Sequence, residues 1–372
     1  MANVTYTVPN KNGSYDGDMV VKQYNSMIID TGDTVTVDQP NRGLFILVKG
    51  DCTINGTLSM TSKGGLVNPT SAGGSDNNAV DSNGLRLPFL TSSGSSSLTA
   101  SNTLFNGCGN DARSVLANFK TLSSNGNIIT LVRQGANGGS QVTQSGSNAN
   151  INGNTGSNGS TGQTGGGGGG SVVYQGTSRN GSFGSCFAGG SGGGSVNNGE
   201  GNQSNVNNAV DWSGRGGNSA TGHSAGVSGG AGNPPGSNVA TSSSTSFEDN
   251  EDGMGVGGLI ILVVKGNLTI GATGRIEANG GGSQHVVRTA GNPAGEWTNT
   301  GGAGGGGNIV LAYKGTYTNN GTVEARGGRS GRCQSSAGLG WNNGTNTSGG
   351  GSTWIANGGN GGNGSVQTLA IS

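Results

Sequence analysis

Residues able to do chemistry are few in this chain and lie far apart. The two histidines, His223 and His285, have no Cys, His or carboxylate companion at the spacing of a metal-ligand pair, so each reads as a loop residue. Cys52, Cys108, Cys186 and Cys333 include no C-x-x-C pair, which argues against zinc. Free thiols are expected, with two disulfides in one of three connectivities as the alternative. The acidic cluster from Phe247 to Gly253 offers Asp249, Glu251 and Asp252, an oxygen-rich turn of the kind Ca²⁺ takes. It lacks EF-hand spacing and reads first as a solvated negative loop ahead of a buried strand. Gly189-Gly190-Ser191-Gly192-Gly193 fits the G-x-S-x-G nucleophile elbow, but abundant glycine produces such matches and no strand–turn–helix context surrounds this one. A sugar-cleaving reaction needs paired carboxylates in a groove. Asp211 and Glu296 are the weak candidates for that. No phosphate-cradling G-x-x-x-x-G-K-[ST] is present. Lys+Arg 18 against Asp+Glu 18 argues against nucleic acid. The residues therefore point to a non-enzyme without a cofactor.

Binding chemistry is better represented. Trp297, Trp341 and Trp354 stand in polar, glycine-rich insertions: QHVVRTAGNPAGEWTNT, CQSSAGLGWNNGTNT and STWIANGG. Aromatic residues on polar loops give large contact area at low entropic cost, which is what recognition surfaces use. The competing reading is that each tryptophan covers its own glycine bundle. That reading is favoured for Trp354, which glycines flank closely.

Such loops need a scaffold, and the chain shows one. In Gly257 to Gly282, the apolar run Leu259 to Val264 is too short for a membrane span and rich in β-branched residues. It is expected to be a strand buried on both faces. Lys265-Gly266 stops it, a short strand follows at Leu268 to Ile270, and Arg275-Ile276-Glu277-Ala278 alternates before a glycine run. The unit recurs around Leu44 to Val48 with Lys49-Gly50, and around Ile309 to Tyr313 with Lys314-Gly315. Two degenerate copies, Ile128 to Val132 and Val172 to Tyr174, lie between. Similar short strands separated by unequal polar insertions suggest stacked β-modules with loops growing from one edge. Val4 to Val8 and Thr34 to Val37 alternate, and Met19 to Ile29 fits a strand or a short helix, so the N-terminal stretch reads as a docking or capping segment. Asp111 to Leu122 has a helical pattern, and Ser365 to Ile371 reads as a closing strand.

The composition sets a second demand. Gly 82 and Pro 7 approach the level of low-complexity chains, yet charge is balanced and charged residues make up only 10%, unlike typical disorder. With 29% hydrophobic residues, side-chain burial supports the strand modules, and the glycine runs must be held by backbone hydrogen bonds. Extended glycine segments can satisfy each other laterally where no side chain intervenes. Polyglycine-II packing is therefore expected for Gly165 to Gly170, Gly189 to Gly194, Gly301 to Gly307 and Asn357 to Gly364. The N-terminal residues resemble no secretion signal and no segment reaches membrane-spanning length. The Ser/Thr/Asn/Gly-rich surface nevertheless suits the outside of a cell. Assembly in a host cytoplasm with exposure after lysis, as in a virion, reconciles the two.

Glycine runs alternating with irregular polar-aromatic segments resemble the distal tail-fibre adhesins of T-even-type bacteriophages. The resemblance covers roughly the last two-thirds of the chain, and the Lys-Gly strand modules depart from it. It implies a packed glycine sandwich and distal loops that touch a host surface receptor, an outer-membrane protein or a glycan. On that basis the receptor-facing residues are His285, Arg288, Trp297, Trp341 and Trp354. Partners would be other virion proteins of the tail fibre, baseplate or capsid, with a homotrimer left open and with neither nucleic acid nor membrane insertion. The expected fold is all-β: stacked short strands, β-helix or sandwich-like, interleaved with polyglycine-II helices. Residues 1-64 would hold the docking segment and first module, 65-256 a Gly/Ser/Asn-rich region, and 257-372 the repeated modules and receptor loops. A capsid decoration or cementing protein is the first alternative function, and a polysaccharide depolymerase the second.

Overall fold

The computed structural model describes residues 3–11, 13–15 and 17–65, short stretches between 139 and 240, then 245–288, 297–334 and 354–370. All elements assigned in these residues are strands. The helical pattern at Asp111 to Leu122 and the degenerate module at Ile128 to Val132 lie outside the described residues.

Three parallel ladders make the body. The first stacks Val20–Tyr24, Leu44–Val48, Leu259–Val264, Asn308–Tyr313 and Ser365–Ala370; the second stacks Met27–Ile29, Cys52–Ile54, Leu268–Ile270 and Tyr317–Asn319. The third stacks Val4–Tyr6, Thr34–Val37, Thr57–Ser59, Arg275–Glu277 and Thr322–Glu324. From Val20 onward the chain visits the first, second and third ladders in that order, circuit after circuit, so each circuit adds one layer. Pairing is in register: Val48 and Tyr313 both face Val264, and Ile54 and Asn319 both face Ile270.

The sequence dictates this arrangement locally. Cys52–Ile54 and Leu268–Ile270 alternate in burial, pointing Cys52, Ile54, Leu268 and Ile270 inward and Thr53 and Thr269 outward. Leu44–Val48 and Leu259–Val264 are buried along their whole length, as a continuous apolar run requires of a strand covered on both faces. The inward residues Ile46, Leu262, Leu311, Ile54, Ile270, Leu58 and Ile276 join one core, each fully buried Leu or Ile contributing about 1.5–3 kcal/mol. Cys52 is buried there as a free thiol, its ionisation pushed up to about 12 by desolvation; Cys333 is also buried and outside any disulfide. The corners are tight. A Cβ at Gly266 would stand 2.6 Å from the Gly50 carbonyl oxygen, so the residue after each corner lysine must lack one.

Two readings of the sequence need correction. Met19 to Ile29 is neither one strand nor a helix but two strands, Val20–Tyr24 and Met27–Ile29, and with Thr34–Val37 it forms a complete circuit of the body. The copy was hidden because Lys22 and Gln23 interrupt the apolar run at the edge of the sheet, where one side of the strand meets solvent. Val172–Tyr174 is a strand, but it does not stack on the Lys-Gly modules. It pairs with Val142–Gln144 and Val196–Asn197 in a separate four-stranded sheet completed by Ala220–Thr221.

Glycine tracts connect the body to its outer parts. The segment 278–284 leaves Arg275–Glu277 of the third ladder and ends at the strand His285–Arg288, while 325–332 leaves Thr322–Glu324 and ends at Cys333–Gln334. Returning segments 253–258, 301–307 and 358–364 each enter the first ladder. In the middle lies Gly301 to Gly307. Its amides point to three neighbours in strict rotation: Gly302 and Gly305 donate to Gly193 and Gly190, Ala303 and Gly306 to Gly359 and Gly362, Gly304 and Gly307 to Gly281 and Ala278, at 2.7–2.9 Å. The carbonyls accept from other directions: Gly302 and Gly305 from Ala231 and Gly257, Ala303 and Gly306 from Gly169 and Gly166, Gly304 from Gly328 and Gly307 from Ser365. Every amide and carbonyl from Gly302 to Gly307 is thus paired, and each neighbour is met every third residue. A three-residue period is that of an extended left-handed helix without internal hydrogen bonds.

Candidate functional site

At the outer end of the glycine tracts, short polar side chains replace glycine and close off the bundle. Ser283 Oγ donates to the Gly301 carbonyl at 2.6 Å and accepts from the Gly331 amide at 2.8 Å. Thr300 Oγ1 donates to the Gly331 carbonyl and accepts from the Gly358 amide, both at 3.0 Å. Ser228 Oγ accepts from the Gly301 amide at 3.1 Å. Asn250 is buried, its Nδ2 donating to the carbonyls of Ser283 and Arg329 and its Oδ1 accepting from the Asp252 amide. A hydroxyl both donates and accepts, so each of these serines and threonines can tie two tracts at the point where backbone-to-backbone pairing ends.

Beyond this collar lie two outer sheets. One orders Val239–Ala240, Ser224–Val227, Trp297–Asn299, Trp354–Asn357 and Ile151–Asn152; the other orders Thr245–Glu248, His285–Arg288 and Cys333–Gln334. The pairs Ser224–Val227 with Val239–Ala240 and Thr245–Glu248 with His285–Arg288 are antiparallel. The register places Trp297 directly opposite Trp354 on parallel neighbouring strands, bringing together two tryptophans that are far apart in sequence. Each of these strands carries the chain from a polar insertion into a glycine tract.

The other expected receptor residues are distributed differently. His285 lies on a strand of the second outer sheet with its side chain buried, and its Nδ1 accepts the Arg332 amide at 2.9 Å. Burial holds it below the usual histidine range, opposed by Glu251 and Glu248 and reinforced by Arg332. The imidazole is therefore neutral near pH 7 and engaged in holding the strand to the segment at Arg332. Arg288 is opposite Thr245 at the other end of the same strand pair. Trp341, His223, Asp211, Glu296, Cys108 and Cys186 lie outside the described residues.

The acidic turn is spent on structure. Asp249 Oδ1 accepts from Gln284 Nε2 at 2.6 Å, and Asp252 Oδ2 accepts the Arg329 amide at 3.1 Å and faces the Arg329 guanidinium at 3.5 Å; Glu251 is exposed. Among the described residues no group of three or more His, Cys, Asp or Glu side chains is placed to hold a metal ion, and no helix is long and apolar enough to cross a membrane. Ser191 is buried within the bundle, where the G-x-S-x-G match sits in a glycine tract without the exposed turn that a nucleophile needs. Comparison with family models, with curated proteins and with solved structures finds no match for this chain.

Sequence reasoning missed the polar collar. Its signal was a Ser or Thr at the outer end of a glycine run, as in Gly282-Ser283 and Thr300-Gly301, which reads as linker composition until the facing tracts are known.

Proposed function

We propose that this chain is a bacteriophage virion surface protein, a tail-fibre or tail-tip adhesin that binds a host bacterial surface receptor through loops carried on a glycine scaffold. In this reading the three-ladder body is a β-helix, the tracts around Gly301 to Gly307 are a polyglycine-II bundle, and the insertions beyond the collar are the receptor loops. The observation that carries it is the central tract, whose backbone is saturated by neighbours on all sides. Such a bundle is stiff without a large hydrophobic core, and stiffness is what a loop-presenting scaffold needs. The strands that precede and follow the sequence insertions 289–296 and 335–353 belong to the two outer sheets, where Trp297 and Trp354 stand opposite each other. Recognition then proceeds by shape and aromatic contact, and no bond is made or broken. The protein would be assembled in the host cytoplasm and exposed on the particle after lysis, with other virion proteins attached to the body.

Competition tests this. Purified protein added to susceptible bacteria lowers phage adsorption in a dose-dependent way, and deletion of residues 335–350 abolishes the competition while leaving the melting temperature within a few degrees. Absence of competition, together with immunogold labelling of the protein at high copy number over the head, would replace the adhesin with a capsid decoration protein. Release of oligosaccharide from host capsule would overturn the non-enzymatic reading.

A further inference from the structure

The corner lysines form a column. Lys49, Lys265 and Lys314 close the first-ladder strands of three successive circuits, and all are exposed. The stack is locked rung on rung, Lys265 N donating to the Val48 carbonyl and Lys314 N to the Val264 carbonyl, both at 2.9 Å. One step further on, Asp51 Oδ1 accepts the Asn267 amide at 2.7 Å and Asn267 Oδ1 accepts the Thr316 amide at 2.9 Å. The side chain of each layer thus fixes the backbone of the next. Successive rungs of such a ladder lie about 4.8 Å apart, so three like charges are held at short, regular intervals.

Elsewhere the protein treats stacked charges in the opposite way. On the third ladder Glu277 stacks directly on Glu324, and arginines neutralise both: Arg275 pairs with Glu277 at 3.3 Å and with Glu324 at 3.1 Å, and Arg326 pairs with Glu324 at 2.9 Å. At the lysine corner none of the three lysines makes a salt bridge among the described residues, and the carboxylate there, Asp51, is engaged by the Asn267 amide. Like charges stacked in this way disfavour folding slightly. In a chain whose net charge is zero, three stacked lysines without a salt bridge on a rigid corner suit a ligand whose negative charges repeat along its length.

We propose that the Lys49–Lys265–Lys314 column binds an extended acidic polysaccharide, one anionic group per lysine, at a site on the body separate from the outer loops. Ammonium groups on flexible stems recognise carboxylate or phosphate as point charges and adapt to the spacing of the polymer. The site depends on the corner geometry alone and would stand if the outer loops bound no receptor.

Binding of full-length protein to immobilised polygalacturonate and to phosphorylated lipopolysaccharide tests it, with neutral dextran and duplex DNA alongside. The expected result is binding to one or both acidic glycans that weakens as salt rises through the range where exposed charges are screened. Response to polygalacturonate alone identifies a carboxylate polymer as the source of the charges, and response to the lipopolysaccharide alone identifies phosphate. Each exposed contact contributes on the order of a threefold factor, so K49Q/K265Q/K314Q loses roughly tenfold or more in affinity. A variant neutralising Lys11, Lys22 and Arg326 stays within about twofold, because the loss belongs to the column and not to overall charge. Should the triple variant misfold, K265Q alone, in mid-column, loses about threefold. No binding to either acidic glycan, equal loss in the two triple variants, or DNA binding as tight and as sensitive to the column would each overturn the proposal.

Discussion

Replacing Gly304 by alanine would put a methyl group onto the Gly255 carbonyl oxygen and 3.1 Å from Val256 Cγ1. Neither neighbour can step aside freely. The Gly255 carbonyl accepts the Gly281 amide at 2.8 Å, and Gly304 itself bonds to the Gly281 carbonyl and the Gly328 amide at 2.8 Å. Relief requires the tract to move away from 253–258, which strains or breaks one or two buried backbone bonds. Overpacking a close-packed interior costs about 1–3 kcal/mol, and an orphaned buried backbone group costs a further 1–3 kcal/mol or so. The expected loss is therefore about 2–6 kcal/mol, a large part of the roughly 5–15 kcal/mol that holds a typical domain folded. Ala303, one residue earlier, is the internal control, since its methyl is already accommodated and fully buried. Ala303→Gly should cost only about 1–2 kcal/mol, from a small cavity and added backbone freedom. Chemical denaturation of the two variants beside the parent protein gives the comparison. A Gly304→Ala variant no less stable than Ala303→Gly would refute the close packing on which the argument rests.

Two further outcomes follow from the collar. Asn250→Ala removes the amide that serves the Ser283 and Arg329 carbonyls and should destabilise by about 2–4 kcal/mol, measured by the same denaturation. His285 titrates below its ordinary range in the folded protein, so its neutral form is the one that folding favours. Stability from this group is present above about pH 6.5, the ordinary histidine value, and is lost as pH falls through the folded value. Melting temperature should drop on acidification below that point in the parent protein and less steeply in His285→Gln. Parallel pH profiles for the two would contradict the buried, accepting imidazole.

Much of the body could be read from residues alone. The continuous apolar run Leu259 to Val264 and its Lys-Gly stop specified a doubly buried strand, and the copies at Leu44 to Val48 and Ile309 to Tyr313 do stack on it in register. The circuit containing Lys22 and Gln23 escaped because an edge strand does not need a continuous apolar run. Val172 to Tyr174 looked like a module because three apolar residues after glycine suit any short strand, and periodicity cannot say which sheet receives them. The outer end was less legible still. Its organisation depends on which glycine tract lies beside which, and that choice is made by backbone groups common to all glycines. Trp297 and Trp354 become neighbours through this pairing, and His285, which looked like a loop residue, is buried by it.

Backbone amide exchange resolved along the chain tests the central idea most directly. If the glycine tracts are a laterally bonded scaffold, the amides of Gly302 to Gly307 exchange as slowly as those of Ile260 to Val264 in the first ladder, and Gly190, Gly193, Gly281 and Gly361 share that protection. Exchange of these glycines at the rate of an unstructured peptide, with the ladder strands still protected, would show that the bundle does not hold the outer loops in place.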